Sequence, residues 1–146
     1  METPRTFIDP PASGAFAERV GVELNRAERY RVFVSLTVLD LKVLKEMSVN
    51  DIPTTMQSIL KKVNSSIRAC DYAALVGEHD LALLFPETPR QGAEIASRRL
   101  ADIVRDSLRE LSGLPAEGVI PVEIASYPDT AGAKTLTTFL EDLLTF

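Results

Sequence analysis

Apolar and polar positions alternate with two different periods along the chain, and the changes of period mark the predicted elements. From Phe16 the apolar residues Phe16, Val20, Leu24 and Ala27 recur every three or four positions, which is typical of an amphipathic helix. Residues 32–39 are almost continuously apolar and rich in β-branched side chains, which predicts a buried central strand.

A second helix is predicted after a loop that contains Asn50, Asp51 and Pro53, with Asp51 or Thr54 as its cap. The rest of the chain is predicted to continue with strand 72–76, turn 77–80, strand 81–85 and a long helix over 93–111. A strand over 119–125 follows; because Pro121 interrupts it, this strand is expected either to lie at an edge of the sheet or to begin late. A last helix is predicted over 136–146. The fold class is therefore α/β (α+β), with a ferredoxin-like β-α-β-β-α-β core whose antiparallel sheet is backed by helices on one face.

Breaker residues separate a short N-terminal segment from this pattern. Pro4, Pro10, Pro11 and Gly14 predict that residues 1–14 form a tail or linker. The remaining residues 15–146 suit one domain.

Charge and composition exclude several classes of function. A net charge of -5 disfavours nucleic-acid binding, although two or three arginines would suffice for a small anionic ligand. No apolar run is long enough for a membrane span, and the N-terminal residues have no signal-peptide core. Cys70, the single cysteine, is expected at the boundary of the core and excludes an intrachain disulfide. These points favour a cytoplasmic protein that does not bind membranes.

Five segments in order resemble the GGDEF (diguanylate cyclase) domain, over roughly residues 16–144. They are ELNRAERY (23–30), SLTVLDL (35–41), IRACDYAALVGEHDLALLFPET (67–88), GAEIASRRLADIV (92–104) and ASYPD (125–129). The resemblance implies the palm-type fold of nucleotide cyclases. It also implies a relation to an activity that makes cyclic di-GMP from two GTP molecules with the help of metal ions.

The catalytic motif of that family is largely replaced in this chain. GGDEF aligns with five residues, of which only the first glycine is retained: Gly77, Glu78, His79, Asp80 and Leu81. Glu78 puts a carboxylate where the family binds phosphate, and His79 replaces an acidic ligand of Mg²⁺, which prefers oxygen. Asp40 stands at the family's first metal-ligand position and is interpreted as a relic.

Other positions of the substrate site differ as well. Lys42 replaces a second aspartate, and the segment 45–55 between strand and helix is shortened, so that Asn50 and Asp51 do not align with the family's guanine-reading pair. The chain also ends before the family's usual last strand. We therefore expect no catalytic activity, no cofactor and no bound metal.

The product-binding positions, by contrast, match. Many GGDEF domains carry an RxxD site before the hairpin, and here Arg68 and Asp71 form it, with Arg99 at the position of a second arginine. The resemblance implies that these three residues bind cyclic di-GMP, because arginine donates paired hydrogen bonds to guanine and stacks on its ring. The alternative is a surface ion pair between Arg68 and Asp71 with no ligand.

The sequence thus favours a catalytically inactive GGDEF-like regulatory module in bacterial cyclic di-GMP signalling. It would act as a cyclic di-GMP receptor through the RxxD site, as a scaffold that binds a protein partner or a second copy of itself, or as both. The alternative is a residual nucleotide-binding enzyme with weak GTP and metal binding, in which Asp40 and Asp80 hold one metal. His79 could then serve the metal, whereas a lone histidine on a turn is more commonly just solvated.

Overall fold

The computed structural model of the protein describes residues 10–46, 51–112, 120–128 and 136–143. The described elements follow in the order α1 (Pro10–Tyr30), β1 (Val34–Asp40), α2 (Val43–Glu46), α3 (Ile52–Asn64), β2 (Tyr72–Val76), β3 (Asp80–Pro86), α4 (Arg90–Ser112), β4 (Val122–Tyr127) and α5 (Leu136–Leu143). In that part of the chain no helix is both long and apolar enough to cross a membrane.

The four strands form one antiparallel sheet in the order β2-β3-β1-β4. With α3 between β1 and β2, and α4 between β3 and β4, this is the predicted ferredoxin-like arrangement. The β1 strand is central and six of its seven residues are buried, as the continuous apolar run predicted. The β4 strand begins directly after Pro121 and lies at an edge, where the proline position predicted it.

Helices cover both faces of the sheet, whereas the sequence pattern predicted helices on one face. On one face, α3 and α4 pack on alternate strand residues such as Leu39, Leu83 and Phe85. On the other, Phe16 and Val20 of α1, with residues of α5, cover Leu36. The second layer was missed because β1 is buried at Ser35 and Thr37 as well as at its apolar positions, and the run itself does not say which helix covers which side.

Helix α1 begins at Pro10, so the predicted boundary after residue 14 lies inside this helix. Prolines are compatible with a first helical turn, where their missing N–H would have no helical partner. Residues 1–9 lie outside the described ones.

The start of α3 follows the predicted capping pattern. The carboxylate of Asp51 accepts hydrogen bonds from the backbone N–H of Thr54 at 3.2 Å and from the Thr54 hydroxyl at 2.8 Å. The buried stripe of α3 then packs on the sheet: Met56, Ile59, Leu60 and Val63. The one-turn helix α2, which precedes it, was not predicted.

Candidate functional site

The first candidate site lies where β1 ends and β3 begins. Asp40 is the last residue of β1 and pairs directly with Asp80, the first residue of β3. The backbone N–H of Leu41 donates a 2.8 Å hydrogen bond to the carbonyl of His79, which ties the hairpin turn to the end of β1. Directly opposed residues of an antiparallel pair have side chains on the same face. The two aspartates, 40 positions apart in the chain, therefore become neighbours.

His79 completes a three-residue cluster with these aspartates. Its Nδ1 atom lies 3.5 Å from Oδ1 of Asp40 and 3.6 Å from Oδ1 of Asp80. One ligand atom from each of the three residues lies within 4.8 Å of the other two. Nδ1 is shielded from solvent and, among the described residues, has no hydrogen-bond partner. An imidazole nitrogen and two carboxylates thus converge without satisfying one another by hydrogen bonds.

The carboxylates of this cluster repel one another. Burial raises the pKa of Asp80, and the nearby carboxylates of Asp40 and Glu123 raise it further, while His79 acts in the opposite direction. Oδ1 of Asp40 accepts a 2.8 Å hydrogen bond from the backbone N–H of Lys42, which fixes the orientation of this carboxylate. The cluster therefore concentrates negative charge at one end of the sheet.

The turn that bears His79 has two further features. Gly77 has a φ of 67°, a conformation that glycine adopts without strain, so the hairpin needs a glycine here regardless of any phosphate. The carboxylate of Glu78 is 80% exposed and lies 3.3 Å from Nζ of Lys45, which follows β1. The position that the resemblance assigns to phosphate thus carries a carboxylate paired with a lysine.

The RxxD residues form a separate structure at the opposite end of β3. Asp71 is buried, and its carboxylate accepts a 2.9 Å hydrogen bond from the backbone N–H of Arg68 and a 2.8 Å hydrogen bond from Nη2 of the same residue. Nη2 of Arg68 also donates to the carbonyl of Pro86 at 3.2 Å and to the hydroxyl of Thr88 at 2.7 Å. The hydrogen bond to Asp71 raises the pKa of Arg68, which stays charged.

The guanidinium of Arg68 is therefore only partly available to a ligand. The edge formed by Nε and Nη2 is used by Asp71. Nη1 makes no hydrogen bond with the described residues, and the side chain is 55% exposed. One amino group and a flat face remain open, which suits stacking better than a paired hydrogen bond.

Arg99 reaches the same region from α4. Its Nη2 donates a 3.2 Å hydrogen bond to the carbonyl of Ser66, two residues before Arg68. The structure thus places all three predicted ligand-binding residues along the α3–β2 connection, where Arg68 and Asp71 contact each other and Arg99 contacts Ser66. Pro86 and Thr88 were missed as partners of Arg68, because nothing in the sequence pattern links them to that turn. Cys70 is exposed, whereas the sequence predicted it at the boundary of the core.

Several solved structures with the same arrangement of elements are GGDEF domains or diguanylate cyclases. The GGDEF domain of FimX from Pseudomonas aeruginosa superposes with a TM-score of 0.70 and 18% identity, over 95% of this chain and 94% of that one. The diguanylate cyclase SiaD of the same organism, solved with its activator SiaC, gives 0.69 and 22%, over 94% of this chain. The GGDEF domain of YfiN, also from P. aeruginosa, gives 0.61 and 22%, over 93% of this chain and 83% of that one.

The chain has the fold of a GGDEF domain. It spans 55% of the SiaD chain. No protein-family model and no curated protein matches the sequence. At identities near 20% the similarity establishes the fold of this GGDEF-like domain, and its chemistry has to be argued from the residues at the two candidate sites.

Proposed function

We propose that this GGDEF-like domain is a regulatory module of cyclic di-GMP signalling that does not synthesise cyclic di-GMP. The observation that carries the proposal is the chemistry of the hairpin turn. Cyclase chemistry needs a turn that admits phosphate and oxygen ligands that hold Mg²⁺. The turn here presents the Glu78 carboxylate and the His79 imidazole at those positions.

The Glu78 carboxylate opposes substrate binding on electrostatic grounds. Two like charges about 4 Å apart repel by about 1 kcal/mol in water and by about 4 kcal/mol in a partly buried site. Lys45, whose Nζ lies 3.3 Å from the Glu78 carboxylate, offsets part of this charge.

The RxxD site is the proposed receptor site for cyclic di-GMP. Arg68 and Arg99 both contact the α3–β2 connection; the Asp71 carboxylate balances one of their charges, so that the three residues together carry one net positive charge in an acidic protein. Local charge of this kind attracts an anionic ligand in spite of the net charge. Among the proteins of the same fold, the GGDEF domain of DgcB from Caulobacter crescentus was solved with cyclic di-GMP, at a TM-score of 0.53 and 17% identity.

A protein partner is the second mode of action that we propose for this module. SiaD, which has the same fold, was solved in complex with an activator protein. An inactive domain that retains the fold can still present its surfaces to a partner or to a second copy of itself. Binding of cyclic di-GMP would then regulate that association.

A second candidate function is a residual nucleotide-binding enzyme. The pairing of Asp40 with Asp80 favours it, because one or two carboxylates together with substrate phosphates commonly hold the divalent ion of nucleotide-dependent enzymes. Glu78 and His79 oppose it for the reasons given above.

Two measurements on the purified 146-residue protein separate these functions. Calorimetric titration with cyclic di-GMP should show binding, and titration with GTP plus Mg²⁺ should show none. Conversion of GTP to cyclic di-GMP with Mg²⁺ or Mn²⁺ should not exceed a control without protein. Turnover that is lost in the Asp40→Ala variant would instead establish the enzyme.

A further inference from the structure

The family's chemistry implies Mg²⁺ at the end of β1, and the residues of this chain do not fit that ion. Mg²⁺ demands oxygen ligands in a near-octahedral arrangement. The cluster here offers a nitrogen of His79 between two carboxylates. Imidazole suits zinc, copper, nickel and iron better than magnesium.

We propose that Asp40, His79 and Asp80 bind one divalent transition-metal ion of the zinc class. The set of one imidazole and two carboxylates belongs to the ligands that zinc accepts. It lies at a hairpin end, outside the RxxD site, and it does not require that the domain bind any nucleotide.

The spacing of the ligand atoms supports a four-coordinate ion. Zinc binds histidine nitrogen and carboxylate oxygen at about 2.0–2.2 Å, so neighbouring ligands of a tetrahedral site lie about 3.3–3.6 Å apart. Nδ1 of His79 lies 3.5 Å from Oδ1 of Asp40 and 3.6 Å from Oδ1 of Asp80. These two separations are too long for good hydrogen bonds and match two edges of such a tetrahedron, while the ligand atoms of Asp40 and Asp80 lie within 4.8 Å of each other.

The environment of His79 Nδ1 supports the same assignment. A buried polar atom without a hydrogen-bond partner is costly, and in proteins it commonly marks a bound water or ion. Nδ1 is such an atom among the described residues. A metal ion held by Nδ1 would satisfy this atom and neutralise the two facing carboxylates together.

Backbone hydrogen bonds around the cluster hold the three proposed ligands in position. Asp40 and Asp80 are held in register by the β1–β3 ladder, and the Leu41 N–H to His79 carbonyl bond fixes the turn. The backbone N–H of Lys42 orients the Asp40 carboxylate from outside, as the partners of metal ligands usually do. The side chains of Asp40 and His79 are 38% and 25% exposed, so the cluster lies where an ion can reach it from solvent.

The test is a titration of the full-length protein, freed of metal and of any histidine tag, with ZnCl₂ and in parallel with MgCl₂. We expect one equivalent of Zn²⁺ to bind and Mg²⁺ to bind at least about tenfold more weakly. His79 is the only histidine of the chain, so its imidazole nitrogen resonances report the site without ambiguity. They should shift on addition of Zn²⁺ and stay unchanged with Mg²⁺.

Matched variants make the assignment specific. His79→Ala and Asp40→Asn should each weaken Zn²⁺ binding by at least about tenfold, since even outer partners of metal ligands cost 10–100-fold. Cys70→Ser removes the exposed thiol, the other strong zinc ligand, and should leave the affinity unchanged. His79→Glu should move the preference from Zn²⁺ towards Mg²⁺, and far-ultraviolet circular dichroism checks that each variant folds.

The proposal is overturned if no Zn²⁺ binds, if binding survives His79→Ala, or if it is lost in Cys70→Ser. Equal affinities for Zn²⁺ and Mg²⁺ overturn the proposed preference of the site for a metal of the zinc class. Because the readouts are metal affinity and histidine resonances, their failure leaves the absence of cyclase activity and the binding of cyclic di-GMP untouched.

Discussion

Asp71 and Arg68 are joined through both the backbone and the side chain of the arginine. The buried carboxylate of Asp71 accepts hydrogen bonds from the Arg68 backbone N–H at 2.9 Å and from Nη2 at 2.8 Å. The backbone N–H of Asp71 in turn donates to the carbonyl of Arg68 at 3.0 Å. The RxxD residues thus close the turn between α3 and β2. A test of ligand binding must therefore be separated from a test of stability.

Removal of the Asp71 carboxylate should destabilise the fold. In Asp71→Ala the Arg68 backbone N–H loses its partner, and a buried donor left unpaired costs about 1–3 kcal/mol. Urea denaturation should show a midpoint lowered accordingly. The control is Asp106→Ala, which removes an exposed pair with Arg109 and should change the free energy of unfolding by less than about 0.5 kcal/mol. Equal stability of both variants would contradict a structural role for Asp71.

Arg99 offers the cleaner test of cyclic di-GMP binding. Its guanidinium makes one hydrogen bond at the surface, so Arg99→Ala should leave the stability nearly unchanged. A lost arginine–guanine contact costs about 1–3 kcal/mol, or roughly a five- to a hundred-fold weaker affinity. Calorimetry with cyclic di-GMP measures this change.

The matched control for Arg99 is Arg109→Ala, an exposed arginine about three turns further along α4 whose partner is Asp106. It should bind cyclic di-GMP as the wild type does. Equal affinities of the Arg99→Ala variant and the wild type would exclude Arg99 from the site. Arg68→Ala should weaken binding as well, but it also removes the contacts with Asp71 and Thr88.

Asp80 should make the stability depend on pH. Its pKa in the folded protein is raised above the ordinary value of 3.8, chiefly by burial. Between 3.8 and the raised pKa the folded state binds more protons than the unfolded state, so stability falls as the pH rises through this window. Asp80→Asn has no charge to bury and should raise the melting temperature at pH 7 in metal-free buffer with a chelator.

This gain from Asp80→Asn should shrink as the pH is lowered and vanish below the window. Asp106→Asn changes the net charge equally at an exposed position and should give no such gain. A gain that persists at low pH would show that the effect is not due to the ionised carboxylate.

Gly77→Ala should destabilise the hairpin. The φ of 67° is left-handed, and an alanine there costs about 1–2 kcal/mol. The control is Gly21→Ala within α1, where no atom lies within 4 Å of an added Cβ. That change should stabilise the protein by about 0.5–1 kcal/mol, because alanine favours a helix more than glycine does. Thermal unfolding should therefore move in opposite directions for the two variants.

The periodicity of the sequence was sufficient to predict the antiparallel sheet and its central strand. The run at 32–39 is polar only at Ser35 and Thr37, and a nearly continuous apolar run is typical of a buried central strand. Tyr72–Val76 was predicted with its observed bounds, because a glycine turn follows it directly. These are local signals, and neighbouring residues suffice to read them.

Only the tertiary structure decided which distant residues meet. Asp40 and Asp80 become partners through the register of two strands, and that register depends on the packing of both sheet faces. The hydrogen bonds of Arg68 with Pro86 and Thr88 likewise join residues that are 18 and 20 positions apart in the sequence. Such contacts depend on how α3, β2 and β3 pack, which no single segment encodes. The sequence by itself therefore determined the elements and the residues that stand in the hairpin motif. The packing decided that His79 faces two carboxylates and that one edge of the Arg68 guanidinium donates its hydrogen bonds to Asp71.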